Sequence, residues 1–140
     1  MLKSRLIHPT ILQVVASSGH GGKVLIADGN YPVGTRANPA ATRVYLNLAP
    51  GRLTVTAVLE VLLTAIPVEA VDVMVTDTGD EPDIHAEFRR MLPGVEWRAS
   101  ERHAFYEKTF DRDVCLVIAT GEQRLYANIL LTIGVVPPHG

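Results

Sequence analysis

The sequence predicts an α/β domain built on a mostly parallel sheet covered by helices. Three observations carry that reading. Helical and β-rich segments alternate along all 140 residues, the runs Val24–Ala27 and Val114–Ala119 are apolar on both faces, and neither an internal repeat nor a linker breaks the alternation. A hydrophobic content of 47% over this length suffices for one core, so residues 1–140 are read as a single domain.

The first helix is placed at Pro9 to Ser17, where Pro suits the opening turn, Ile11, Leu12 and Val15 share a face, and Gly19 can end it. A strand follows at Lys23–Ala27 and stops at Asp28, with turn chemistry in Gly29-Asn30-Tyr31-Pro32. The Gly-, Asn-, Pro- and Ala-rich stretch Val33 to Thr42 reads as a loop, suited to a lid or a subunit contact, before an apolar run at Arg43–Leu48. Thr54 caps a helix that runs to Ala65, ahead of Pro67. A strand at Val71–Thr76 leads to an amphipathic helix at Pro82–Leu92, whose late Arg89 and Arg90 complement the helix dipole. A short strand at Val95–Arg98, a helix near Ala104–Arg112, the strand Val114–Ala119, a Thr120-Gly121-Glu122 turn and a last run at Asn128–Val136 complete the order.

The net charge of −2 comes from 13 basic and 15 acidic residues scattered without runs, which argues against nucleic acid and anionic membranes as partners. One cysteine, Cys115, lies in an apolar run and reads as a small core residue of a protein from a reducing cytoplasm. The first residues lack the organisation of a signal peptide, and no stretch is long and apolar enough to cross a bilayer.

Four segments carry candidate chemistry. Gly19-His20-Gly21-Gly22 is either a tight helix-to-strand turn or a flexible bend that lets an imidazole reach a cleft. It is not a phosphate loop, because Lys23 precedes Val24 rather than Ser or Thr, and no Gly-x-Ser-x-Gly elbow accompanies it. Asp28 stands at a strand's carboxyl end, where open α/β sheets bind ligands, although a self-bonding turn residue has the same signature. Arg102-His103-Ala104-Phe105-Tyr106-Glu107 is a dense polar and aromatic segment, otherwise read as a solvated face with Phe105 in the core. Tyr126-Ala127-Asn128 offers donors and acceptors suited to hydroxyl groups, or ordinary packing at the start of a strand. The five histidines fall in no zinc-ligand spacing, so no metal is expected.

Together these segments, with Ala27-Asp28-Gly29-Asn30-Tyr31-Pro32, Thr120-Gly121-Glu122 and Tyr126-Ala127-Asn128-Ile129-Leu130-Leu131 followed by Gly134-Val135, resemble the D-ribose pyranase and L-fucose mutarotase family over nearly the whole chain. Arg102-x-x-Phe105-Tyr106-Glu107 is similar to the fucose branch, because the ribose branch tends to carry a histidine at position 102. Gly22 departs from the family, which usually has an aspartate there that could orient the neighbouring histidine. The resemblance implies a three-layer α/β/α fold, no cofactor, and a homo-oligomeric ring, commonly a decamer, with pockets completed by a neighbour. It implies a monosaccharide substrate of the fucose or ribose class, and either L-fucose-type mutarotase or D-ribose pyranase activity, an isomerase reaction. A sugar-binding accessory protein without chemistry is the alternative. His20, Asp28 and Tyr126 are the expected catalytic group, with His20 as acid/base and Asp28 orienting it or binding a hydroxyl. Arg102, Tyr106 and Asn128 are expected to bind and select the sugar.

Overall fold

The structure, a computed structural model, describes residues 1–139. Four helices and six strands follow in the order α1 (Pro9–Ser18), β1 (Lys23–Ala27), β2 (Thr42–Tyr45), α2 (Val55–Leu62), β3 (Val68–Met74), α3 (Ile84–Met91), β4 (Glu96–Ser100), α4 (Arg102–Thr109), β5 (Val114–Ala119) and β6 (Ile129–Ile133). The strands form one sheet in the order β2-β5-β1-β6-β3-β4. Every pairing is parallel except those of β6, which runs antiparallel between β1 and β3. The sheet is therefore mostly parallel, as expected, with β6 entering from the end where the parallel strands finish.

Local chemistry sets most boundaries. Thr54 accepts the N–H of Ala57 and starts α2, and His8 Nδ1 accepts that of Ile11 with Pro9 at the first position of α1. Glu101 accepts from both His103 N–H and Ala104 N–H, so α4 starts at Arg102, two residues earlier than the sequence suggested. Those two N–H groups hold the Glu101 carboxyl below the usual range. β3 starts three residues earlier than expected, at Val68, and β2 ends at Tyr45 although Leu46 and Leu48 extend the apolar run.

Side chains alternate between two cores. Val24, Ile26, Ile129 and Leu131 face α1, α2 and α3 with Ile11, Leu59, Leu62 and Phe88. Leu25, Ala27 and Leu130 face α4, through Phe105, and the loop after β1, through Tyr31, Val33, Ala37 and Ala41. These are the three layers of an α/β/α arrangement. The stretch Val33 to Thr42, expected as a loop suited to a lid or a subunit contact, also helps to fill the second core through Val33, Ala37 and Ala41. Arg43 holds it there by donating to the carbonyl oxygens of Val33, Ala37, Asn38 and Ala41. Cys115 is only partly buried, and its thiol donates to Lys23 O at 3.3 Å. Among the described residues, no helix is long and apolar enough to cross a membrane.

Candidate functional site

Where β1 and β3 end and β6 begins, a cavity of about 230 Å³ is lined by Asp28, Asn30, Tyr31, Met74, Arg102, Tyr106, Leu125, Tyr126 and Asn128. Its size suits one small ligand, below the ~300–1,000 Å³ of drug-sized sites. Its position is the carboxyl edge of an open α/β sheet, where neighbouring strands run in opposite directions.

Asp28 and Asn128 form its floor, at 4% and 3% exposure. Asp28 Oδ1 accepts the N–H of Asn30 at 3.0 Å and Oδ2 that of Ala127 at 3.2 Å, while Asp28 N–H donates to Asn128 Oδ1 at 2.7 Å. Burial pushes the Asp28 carboxyl above the usual aspartate range, and the surrounding N–H donors oppose that shift without cancelling it.

Tyr126 has φ 57, a left-handed conformation that costs an L-residue about 1–2 kcal/mol. The loop carrying it is pinned on both sides, by the Asp28 contacts after it and by Glu122 before it. Glu122 is 3% exposed and accepts from Val55 N–H at the start of α2 and from Arg124 N–H, Nε and Nη2. Burial alone would raise the Glu122 carboxyl, but the Arg124 guanidinium and N–H and the Val55 N–H outweigh it and hold the group below its usual range. Arg124 also pairs with Glu87 of α3 and donates to Thr56.

The wall opposite comes from α4. Capping by Glu101 sets Arg102 at the first helical position and Tyr106 one turn on, beside Tyr31. The rings of Tyr31 and Tyr106 meet edge to face at 5.5 Å. Tyr31 donates its O–H to Arg36 O at 2.7 Å, and burial raises its phenol above the ordinary value, so it buttresses the wall as a neutral group.

Five of the six expected site residues, Asp28, Arg102, Tyr106, Tyr126 and Asn128, therefore line one cavity. His20 does not. It precedes β1 whereas Asp28 follows it, so at ~3.3 Å per residue roughly 16 Å of strand separates them. Within one chain Asp28 cannot orient His20, which corrects that expectation. The partner of His20 is Glu69 of β3, whose two carboxylate oxygens lie 3.0 and 3.1 Å from Nε2. Sequence reasoning also missed Met74 as a lining residue, although its place at the carboxyl end of a parallel strand was a usable signal. A neighbouring cavity of about 430 Å³ shares Asn30, but its one ionisable side chain, Glu122, is committed to Arg124. Among the described residues, no three His, Cys, Asp or Glu side chains are grouped to hold a metal ion.

A model of the RbsD / FucU transport protein family matches residues 1–136. The chain belongs to that family. It is also similar to three solved structures. The fucose mutarotase of Streptococcus pneumoniae in complex with L-fucose is 28% identical with TM-score 0.82, over 98% of this chain and 100% of that one. The RbsD of Bacillus subtilis complexed with D-ribose is 25% identical with TM-score 0.85, over 98% and 100%. The FucU of Bifidobacterium longum is 30% identical with TM-score 0.76, over 94% and 96%. The RbsD/FucU fold is thus shared over nearly all of this chain.

Proposed function

We propose that this protein is a monosaccharide mutarotase or pyranase that opens and recloses a sugar ring without a covalent intermediate. The observation that carries the reading is the cavity at the carboxyl edge of the sheet, lined by Asp28, Asn30, Arg102, Tyr106, Tyr126 and Asn128, a set of donors and acceptors matched to sugar hydroxyls. The likeness to proteins in complex with L-fucose and with D-ribose supports it.

In the proposed reaction a base takes the proton from the anomeric hydroxyl and an acid protonates the ring oxygen. The bond from the anomeric carbon to the ring oxygen breaks as the carbonyl forms, rotation follows, and the reverse steps close the ring. Each positioned proton transfer can contribute ~10²–10⁴-fold. Asp28 is assigned to accept from a hydroxyl, Tyr126 to work at the reacting oxygens, and Arg102, Tyr106 and Asn128 to select and hold the ring. His20 supplies the main acid/base group, and because its own pocket lies beyond β1 it serves a pocket of a neighbouring copy. A ring assembly, of which a decamer is the family's common form, follows from that assignment. The unpaired Cys115 suits a reducing cytoplasm.

Arg102 favours the fucose side, because its fixed fork of donors makes demands a histidine does not. Saturation-transfer NMR of L-fucose and D-ribose with chelator present tests the whole reading. Exchange above the buffer blank, faster for fucose, is expected, with most of it lost in His20→Ala and the fucose advantage reduced in Arg102→His. Blank rates for all monosaccharides, with binding retained, would leave an accessory sugar-binding protein. The absence of an imidazole among the nine lining residues is the observation favouring that second reading. Light scattering that returns a monomer would remove the shared pocket.

A further inference from the structure

We infer that Glu69 is the positioning residue of His20, fixing which ring nitrogen carries the proton and leaving Nδ1 as the nitrogen that exchanges protons with substrate. The inference rests on the acid/base role proposed for His20. It starts from the bifurcated contact of 3.0 and 3.1 Å between Nε2 and the Glu69 carboxylate, which accepts only from a protonated Nε2. An imidazole nitrogen's role is set by the bond its partner nitrogen makes, so in the neutral ring Nδ1 carries the free lone pair.

Glu69 is aimed by the sheet itself. β3 pairs with β6 at Val68 opposite Ile133 and Ala70 opposite Thr132, so two residues of β3 advance against one of β6 and Glu69 is the extra residue of a bulge. Bulges redirect a side chain out of the strand's alternation. Gly134 leaves room for it, since a Cβ there would stand 3.3 Å from Glu69 Cβ. The His20 turn is tied to the same strand, Gly21 N–H donating to Ile133 O and Ile133 N–H to Gly22 O, both at 2.9 Å. Both members of the pair are therefore referenced to the end of β6 and not to a free loop.

Position 22, two residues after His20, is a glycine in a tight space. A Cβ on Gly22 would lie 3.1 Å from Ser18 Cβ and 3.4 Å from Gly19 O, with Cys115 Sγ at 3.6 Å, so a larger side chain is crowded there. The carboxylate for His20 comes from β3. Because His20 and Glu69 side chains are 56% and 47% exposed, the effect on rate is on the order of tenfold, well short of the ~10⁴ attached to a buried triad carboxylate.

Solid-state ¹⁵N NMR of the full chain with labelled histidine, assigned against His20→Ala, reads the tautomer directly. The parent protein should show His20 protonated at Nε2, Glu69→Ala should show a mixture, and Glu69→Gln should keep the parent pattern because its amide oxygen still accepts. In anomer exchange Glu69→Ala should lose about tenfold in kcat with KM nearly unchanged, and Glu69→Gln should keep most activity. A parent-like tautomer or a parent-like kcat in Glu69→Ala overturns the inference. Full exchange in His20→Ala would instead remove the role of His20, and the tautomer spectra would still decide whether Glu69 holds the ring.

Discussion

Asp28 and Asn128, 100 positions apart, are bonded at 2.7 Å from the Asp28 N–H to the Asn128 Oδ1, and the Ala127 N–H donates back to the Asp28 carboxylate. This reciprocal tie joins the exit of β1 to the start of β6. It holds a buried carboxylate and a buried amide side by side at the floor of the pocket, so its integrity couples stability to the shape of that floor.

The first prediction concerns Asp28→Asn. The Asp28 carboxyl is raised above the ordinary 3.8, so its favourable contribution is present below that value and lost as pH rises through the higher folded-state value. The amide loses one acceptor for the Asn30 or Ala127 N–H, costing about 1–3 kcal/mol at any pH. In urea unfolding from pH 3 to 7, the advantage of the parent over the variant should therefore be largest at the acid end and shrink upward. An advantage that grows with pH would contradict the raised carboxyl.

At Tyr126, glycine and alanine should reverse their usual order. Both remove the ring, and only glycine also removes the Cβ that makes φ 57 costly. Tyr126→Gly should be more stable than Tyr126→Ala by about 1 kcal/mol in urea midpoints, with sugar binding weakened in both. Alanine equal to or better than glycine would mean that the left-handed conformation stores no strain.

Two arginine replacements should separate a site clamp from a surface pair. Arg124→Met leaves the buried Glu122 carboxylate with only N–H donors and should cost about 1–3 kcal/mol at pH 7. Arg5→Met breaks a 3.4 Å pair whose side chains are 58% and 61% exposed, and should cost below about 0.5 kcal/mol. Glu122 is held below its ordinary 4.5, so its contribution is present above that value and lost as pH falls through the lower folded value. The Arg124→Met deficit should shrink toward pH 3, and a deficit constant with pH would count against the clamp.

The sequence by itself determined the alternation of ten elements, the opening of α1 at Pro9, the cap at Thr54, the limits of β1 and β5, and five residues of one pocket. Each is written in signals a few residues long: apolar periodicity, a capping side chain, a polar group where a strand stops. The tertiary structure alone decided the rest. The antiparallel insertion of β6 between β1 and β3 brings Asn128 onto Asp28, and no local pattern encodes strand order. The docking of Val33, Ala37 and Ala41 under α4 makes those three loop residues core, because an apolar residue in a loop shows its partner only once the sheet face is built. His20 and Asp28 looked like neighbours eight positions apart, yet the extended strand between them sends them to opposite edges of the sheet, and a one-residue bulge 49 positions away puts Glu69 against the imidazole instead.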